Sequence, residues 1–318
     1  MTQRNYDPDL LPLIPLLPDI SDLATAEKVQ AVREMGLAFG EPPAQLDAVE
    51  REDRNVPGPK GAPDVAVRIH RPKAPSDTPR PGLFEIHGGG FMIGSKDMMN
   101  PWCDRVAADV GAVVVSTDYR LAPEHPFPAG LDDCFAALSW MSENAAELGI
   151  DPERIGIAGQ SAGGGLAAAC ALLARDRGGP KLCFQLLEIP ELDDRLETPS
   201  MQAFTDTPLW NRPNAVWSWR HYLGADHAGE VSPYAAPARA KDLAGLPPAY
   251  VSVMEFDPLR DEGILYALGM LQAGVAVELH AFPGTFHGSS LVPTADPSKR
   301  NAQEILAVLK RRLGAGSS

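Results

Sequence analysis

The segment RIGIAGQSAGGG, residues 154–165, joins a short apolar run to an alanine-rich helical segment. Its centre is a G-x-S-x-G pattern around Ser161. Between a strand and a helix, the small residues of this pattern permit a sharp turn in which the serine hydroxyl projects from the strand end. So short a pattern often arises by chance and is weak alone. Its strand–turn–helix context strengthens it and predicts that Ser161 is a nucleophile.

Strand-like segments alternate with helical segments on both sides of this turn. The helical segments at 131–148 and 263–273 repeat apolar residues with the spacing of one helix face. In the second of them, this face consists of Ile264, Leu265, Leu268 and Leu271. Apolar strands that alternate with such helices form a mostly parallel sheet covered on both faces, so residues 1–318 are predicted to be one α/β domain. The strand-like segments are 64–70, 81–87, 111–119, 154–161, 183–189, 249–255 and 275–282.

Two segments do not follow this alternation. Residues 1–45 are expected to be helical, with Thr25 as an N-cap and Gly40 as a stop. Residues 191–228 carry three of the five tryptophans, and a helix is expected to start after Asn211. Both segments could fold over one end of the sheet as a lid, or they could only pack against the core.

The composition argues against nucleic acids and anionic membranes as partners. The 318 residues carry a formal charge of −14, which repels phosphate groups. The apolar segment LLPLIPLLP, residues 10–18, is interrupted by prolines and lacks the basic region of a signal peptide. The four cysteines show no metal-ligand or redox spacing, and Cys134 and Cys170 are predicted to be buried thiols. These features predict a reduced, cytoplasmic protein.

A second motif, HGGGF at residues 87–91, ends another strand-like segment. Three consecutive glycines let a loop turn its amides towards a substrate without intervening side chains. Such amides stabilise the negative oxygen of a tetrahedral intermediate, and losing one donor costs about 3 to 4 kcal/mol. This pattern is an oxyanion-hole element of lipases and esterases. Gly89 and Gly90, with the amide of Ala162, are therefore the predicted oxyanion hole, although a merely tight turn would explain either motif alone.

A serine nucleophile needs a base, and the base needs an acid that orients it. Among the seven histidines, His287 follows the last strand-like segment in a glycine-bounded loop and is the best base. Asp257 stands where a strand-like segment ends at a proline and is the best acid, with Glu255 and Asp261 as nearby rivals. The order Ser161, Asp257, His287 is that of α/β-hydrolase triads.

Taken together, these motifs resemble the hormone-sensitive-lipase-like esterases, the bacterial family IV carboxylesterases. The resemblance covers nearly all of the chain from about residue 64 to residue 312. It includes, in this order, HGGGF, DYRLAPEHPFPAGLDD, GQSAGG, SPYAAP, GLPPAYV, DPLRDEG and FHG. It implies an α/β-hydrolase core, a helical cap from residues 1–45 and 191–228, and ester hydrolysis through an acyl-enzyme without metal or organic cofactor. It also implies triad and oxyanion roles for the residues named above. Gln160 departs from the family, in which many members carry Asp before the nucleophile.

The segment STDYRLAPEHPFPAGLDD contains carboxylates and a histidine that could suggest a metal site. A structural interpretation is favoured, in which Tyr119, Arg120 and Glu124 brace a strand end. Asp132 or Asp133 is then expected to cap the next helix. No metal ligand is predicted.

Three functions fit these residues. The first is a carboxylesterase for short acyl esters, because the tryptophan-rich insertion predicts a compact apolar site with Phe91, Trp210 and Trp217 as candidate substrate contacts. An amidase or arylformamidase would use the same triad, and the sequence does not separate it from an esterase. The third is a ligand-binding receptor, since plant gibberellin receptors resemble the same family. Those receptors lack the catalytic histidine, whereas His287 is present, so this function is disfavoured.

The resemblance also suggests a homodimer. Residues 275–282 form the last strand in chain order, which predicts an edge strand with unpaired backbone groups. A two-fold axis would join this strand and a helix at 299–312 to their symmetry mates. Glu278 and His280 could instead keep the edge soluble and the protein monomeric.

Overall fold

The computed structural model describes residues 4–18, 20, 22–35 and 44–314. Eight strands form one sheet in the order β1-β2-β4-β3-β5-β6-β7-β8. The first two strands run antiparallel to their neighbours, and β3 to β8 are parallel, which confirms the predicted mostly parallel sheet. The strands are β1 (Val49–Val56), β2 (Val65–Pro72), β3 (Arg80–Ile86), β4 (Val113–Asp118), β5 (Ile150–Gln160), β6 (Phe184–Glu188), β7 (Ala249–Phe256) and β8 (Val277–Phe286).

Helices cover both faces of the sheet. Consecutive strand residues point to opposite faces, so in β3 Leu83 packs against α2 and α9, while Phe84 packs against α3 and α5. No helix of the described residues is both long and apolar enough to cross a membrane. The helices are α1 (Ala26–Met35), α2 (Asn100–Val110), α3 (Ala129–Glu143), α4 (Ala145–Leu148), α5 (Ala162–Arg177), α6 (Pro199–Ala203), α7 (Arg212–Leu223), α8 (Arg260–Gln272) and α9 (Asp296–Leu313).

Strand β1 was not expected from the sequence. Its sequence, VEREDRNV, has six polar residues, and only Val49 and Val56 at its two ends are buried. It lies at the edge of the sheet and pairs with β2 alone. Charged side chains on an edge strand discourage pairing with other chains, and they also remove the apolar alternation by which a strand is recognised.

The expected apolar face of α8 is wrong. Leu265, Leu268 and Leu271 are 55%, 46% and 49% exposed, and the helix turns a different side to the sheet. A Cβ at Gly263 would lie 2.8 Å from Val253 Cγ1, so this glycine permits a close approach to β7. The buried residues of α8 are Glu262, Gly263, Tyr266, Ala267 and Met270.

Residues before β1 pack against the inserted segment that carries α6 and α7. Asn214 Nδ2 donates a hydrogen bond to the Ile20 carbonyl at 2.6 Å, and the His221 ring bonds to the Leu23 carbonyl at 2.7 Å. A shared apolar cluster joins them over the loop after β3, and it includes Ile20, Leu23, Val29, Val32, Met92, Ile93, Met201 and Trp210. The two segments therefore form one layer above that loop.

The expected helix ends are found where the structure describes them. Thr25 Oγ1 accepts from Lys28 N at 3.4 Å at the start of α1, and Asn211 Oδ1 accepts from Asn214 N at 3.3 Å at the start of α7. Gly40, the expected stop of the first helix, lies outside the described residues. Cys134 and Cys170 are buried and free, and burial raises the pKa of both thiols.

Candidate active site

Ser161 lies in a sharp turn between β5 and α5. Its φ and ψ are 59° and −123°, a backbone conformation that costs a residue with a side chain on the order of 1 to 3 kcal/mol. The flanking glycines permit this turn. A Cβ at Gly159 would lie 2.2 Å from the Gly163 carbonyl oxygen, and a Cβ at Gly163 would lie 2.1 Å from the Ile86 carbonyl oxygen. The G-x-S-x-G pattern is therefore a packing requirement of this turn.

The three residues of the predicted triad are hydrogen-bonded in series. Ser161 Oγ lies 2.9 Å from His287 Nε2, and His287 Nδ1 lies 2.7 Å from Asp257 Oδ2. Asp257 is fully buried, and its Oδ1 accepts from the Leu259 amide at 2.8 Å. The serine, the acid and the base follow β5, β7 and β8, and the carboxyl ends of parallel strands meet at one edge of the sheet.

The rival acids have other partners. Glu255 Oε2 accepts from the Gly284 amide at 2.7 Å. Asp261 accepts from the Ser200 amide at 2.7 Å and pairs with the adjacent Arg260 at 2.8 Å. Asp261 therefore holds the start of α6 instead of capping its own helix.

The predicted oxyanion hole consists of backbone amides beside Ser161. Gly89 and Gly90 have φ values of 121° and 57°, which disfavour other residues. A Cβ at Gly90 would lie 2.4 Å from Trp210 Cη2. Within the described part of the chain, the amides of Gly89, Gly90 and Ala162 donate no hydrogen bond. They remain free to donate to a substrate oxygen.

His87 supports the glycine loop. Its Nδ1 donates to the Gly88 carbonyl at 2.7 Å, and its ring stacks on Tyr119 with centroids 4.3 Å apart. The Tyr119 hydroxyl donates to the His87 carbonyl at 3.0 Å. Burial lowers the pKa of His87, so the ring is neutral and keeps one orientation.

Carboxylates of the segment that could suggest a metal site form ion pairs. Asp133 pairs with Arg120 at 2.7 Å and accepts its backbone amide at 2.9 Å, and Glu124 pairs with Arg33 at 2.8 Å. The capping role expected for Asp132 or Asp133 is wrong, because Pro128 occupies the N-cap of α3 and makes no side-chain cap. These contacts brace the end of β4, as expected.

A cavity of about 100 Å³, called the first cavity below, opens onto Ser161 and His287. Of the three aromatic residues expected to contact substrate, Trp210 lines it, with its ring 5.8 Å from that of His287. Phe91 stacks on Tyr222 instead, and Trp217 on His221. Other lining residues were not predicted because they lie in loops without periodic pattern: Ile20, Met98, Met99, Leu209 and Leu291.

A buried carboxyl group beside the turn was also not predicted. Glu191 is fully buried, and its amide donates to the Ser161 carbonyl at 3.0 Å. The pKa of its carboxyl is raised to about 8, mainly by burial, with a lowering effect of Ser218 and a smaller raising effect of the Asp257 charge. The group is therefore mainly protonated at neutral pH. Glu191 follows a strand and a proline in the sequence, and this local pattern does not indicate that its side chain is buried.

The comparisons agree with this geometry. A family model for the alpha/beta hydrolase fold matches residues 83–291, most of the sheet and all three triad positions. The chain belongs to this family. The family resemblance drawn from the motifs is thereby confirmed.

Relatives with known names are esterases and a deacetylase. Carboxylesterase NlhH of Mycobacterium tuberculosis is 42% identical over 318 residues, covering 97% of this chain and 98% of that protein. A bacterial heroin esterase of known structure is 52% identical with a TM-score of 0.91, covering 98% of this chain and 99% of that one. Arylacetamide deacetylase of Bos taurus is 32% identical and covers 71% of this chain and 72% of that protein. The present family member is a carboxylic ester hydrolase.

Proposed function

We propose that this enzyme is a serine carboxylesterase that cleaves short-chain acyl esters through an acyl-enzyme. The observation that carries the proposal is the buried series of hydrogen bonds from Ser161 through His287 to Asp257. It supplies an activated nucleophile, a base and an orienting acid. The three free amides beside Ser161 provide donors for an oxyanion.

In the acylation step, His287 Nε2 takes the proton of Ser161 Oγ while Oγ attacks the ester carbonyl carbon. Negative charge develops on the carbonyl oxygen, and the amides of Gly89, Gly90 and Ala162 stabilise it. His287 then gives the proton to the leaving alkoxide. Asp257 stabilises the imidazolium formed in between and keeps the ring oriented.

In the deacylation step, water takes the place of the alcohol. His287 removes a proton from this water, which attacks the acyl carbonyl, and Ser161 leaves with that proton. The same amides stabilise the second oxyanion. No group beyond these residues and water is needed to balance the reaction.

The shape of the first cavity supports a short acyl group. Its volume is about 100 Å³, and the buried Trp210 closes one side. We therefore expect kcat/KM to peak at acyl chains of about four to six carbons. Each further methylene would add about 0.8 kcal/mol of binding if it could be buried, but a small cavity has no room for it. A series of p-nitrophenyl esters from acetate to palmitate measures this directly.

Matched anilides in the same series compare ester with amide cleavage. The deacetylase relative makes amide hydrolysis the alternative. We expect the anilides to be cleaved far more slowly than the esters. Comparable anilide rates would make the enzyme an amidase, and continued improvement through palmitate would contradict a closed acyl site.

The cap is part of the same proposal. We propose that residues 191–228 and the described part of residues 1–45 form a cap subdomain over the catalytic edge of the single domain. The contacts between Asn214 and Ile20 and between His221 and Leu23 support it, as does the presence of Ile20 and Trp210 in the first cavity.

A homodimer is also proposed, formed through residues 275–282 and 299–312. Strand β8 lies at the edge of the sheet opposite β1, and Glu278 in it pairs with Arg311 and Arg312 of α9. Exposed leucines of β8 and of α8, the helix that packs on β7 and β8, add apolar area that a second copy could cover. They are Leu265, Leu268, Leu271 and Leu279.

Leu279→Glu should break this dimer, because two carboxylates would meet near the two-fold axis. Light scattering on a sizing column at micromolar protein should give a mass near twice 34.0 kDa for the wild type and near 34.0 kDa for the variant. Leu46→Glu is the matched control, since Leu46 is also 42% exposed but lies beside β1 at the opposite edge. A wild-type mass near 34.0 kDa at every concentration would contradict the dimer.

A further inference from the structure

A second cavity adjoins the first. Its volume is about 310 Å³, and it lies between the loop after His287 and the starts of α2 and α9. The two cavities share four lining residues, Met98, Met99, Gln160 and Leu291. The two cavities therefore adjoin at these side chains, next to Ser161.

The second cavity contains a buried carboxylate without a basic partner. Glu188, the last residue of β6, lines it and is 7% exposed. Its Oε2 accepts from Asn301 Nδ2 at 3.3 Å. No Lys, Arg or His among the described residues lies within ion-pair distance of it. Asn301 is 3% exposed, and its Oδ1 has no hydrogen-bond partner. The Glu188 carboxyl thus lines the cavity with one amide donor as its partner, and Asn301 Oδ1 beside it is buried without a partner.

Glu188 is the buried charged group of this lining, and the two cations in the lining are about half exposed. Arg105 and Lys299 also line the cavity, but they pair with Asp109 at 3.4 Å and Asp296 at 3.7 Å. Glu85 is a second buried carboxyl, and it lies close enough to Glu188 to interact with its charge. Burial and, to a smaller extent, the charge of Glu188 raise the pKa of Glu85 well above its usual range. A buried acid of this kind gains most from a ligand that brings a positive charge and N–H or C–H donors.

The position of the second cavity relative to His287 indicates which part of the ester it binds. His287 protonates the leaving alkoxide, so the alcohol part of the substrate lies beside it. Ser290 and Leu291 follow His287 in the chain and line the second cavity. Gln160 donates to Ser290 Oγ at 3.1 Å and holds the boundary between the two cavities.

We propose that the second cavity binds the alcohol part of the substrate and that Glu188, held by Asn301, selects alcohols that carry an ammonium group. The inference rests on the proposed ester hydrolysis and adds a substrate class to it. Neutral alcohols still fit the cavity, because its remaining walls are largely apolar. The ammonium group raises kcat/KM and is not needed for turnover.

The test compares two esters of the same shape. Acetylcholine carries a fixed positive charge, and 3,3-dimethylbutyl acetate is its neutral isostere. Acetate release gives kcat/KM for each, and we expect the wild type to prefer acetylcholine by about tenfold, the scale of one hydrogen bond or contact to a charged group. Glu188→Gln should bring this ratio close to one, because the ratio divides out any change that the substitution makes to the cleavage of both esters.

The ratio should also depend on pH. Burial raises the pKa of Glu188 to about 7, against a lowering effect of Asn301, so the carboxyl is neutral below this pH and charged above it. The preference for acetylcholine should therefore grow between pH 6 and pH 8 in the wild type. It should stay flat in Glu188→Gln, since the titration of the triad acts on both esters and cancels in the ratio.

Glu304→Gln is the matched control. Glu304 lies one turn after Asn301 on α9, but its carboxylate bonds to His280 and Tyr250 outside the cavity. Its removal should leave the ratio at the wild-type value. A ratio near one in the wild type, or one that survives Glu188→Gln, would overturn the inference while leaving ester hydrolysis intact.

A second pair of substrates checks the assignment to the alcohol end. Ethyl 4-(trimethylammonio)butanoate carries the charge on the acyl part, and ethyl 5,5-dimethylhexanoate is its neutral isostere. We expect no preference within this pair. A preference here and none for acetylcholine would overturn the assignment, and failure to cleave any ester in either set or the p-nitrophenyl series would overturn the proposed function as well.

Discussion

Ser161→Ala is expected to lower kcat by about a million-fold, the scale measured for the serine of a hydrolase triad. That loss corresponds to about 8 kcal/mol of transition-state stabilisation. The physical reason is that no other hydroxyl is described within hydrogen-bond distance of His287 Nε2, so covalent catalysis stops. Turnover of p-nitrophenyl acetate by purified protein measures it, with burst analysis to exclude contaminating esterase.

A second serine gives the control for this substitution. Ser139 on α3 donates to the Phe135 carbonyl at 2.8 Å and is distant in the fold from both cavities. Ser139→Ala should keep both the wild-type kcat and the wild-type circular dichroism spectrum. Ser161→Ala should keep the spectrum but lose the activity. Wild-type turnover in Ser161→Ala would remove Ser161 from the mechanism.

Asp257→Asn is expected to lower kcat/KM by about ten-thousand-fold, as for the acid of a serine-protease triad. The asparagine amide would donate to His287 Nδ1 and favour the tautomer that cannot accept the proton of Ser161. The charge that stabilises the imidazolium would also be lost. Steady-state kinetics on a short-chain p-nitrophenyl ester checks the loss.

The two rival acids provide matched variants of the same chemistry. Glu255→Gln and Asp261→Asn keep the shape of each side chain. The first weakens the bond to the Gly284 amide, and the second weakens the bond to the Ser200 amide and removes the surface ion pair with Arg260. Each should cost about 1 kcal/mol of stability and leave kcat/KM within tenfold of the wild type. If Asp261→Asn were the most damaged of the three, the acid would be Asp261.

Much of the fold was predictable because local patterns record it. Seven of the eight strands have apolar runs, since strands of a parallel sheet are buried on both faces. The missing strand, β1, has charged residues over most of its length, since it lies at an edge. Helix α8 shows that an apolar pattern can also mislead, because its regularly spaced leucines are exposed. Gly263 and the hydrogen bonds of Glu262 determine which side of the helix packs against the sheet.

The sequence by itself determined the triad candidates, the glycine loop and the family. Each was found from short motifs of residues close in the chain, and the glycine motifs need a backbone that only small residues allow. Only the tertiary structure shows which of three carboxylates within seven residues lies at hydrogen-bond distance from His287, since Asp257, Glu255 and Asp261 reach different neighbours. It also shows which aromatic residues line the first cavity: Trp210 reaches it, while Phe91 and Trp217 pack on other rings. Burial of Glu188 and Glu191 depends on side chains from distant segments, and no local pattern encodes such contacts.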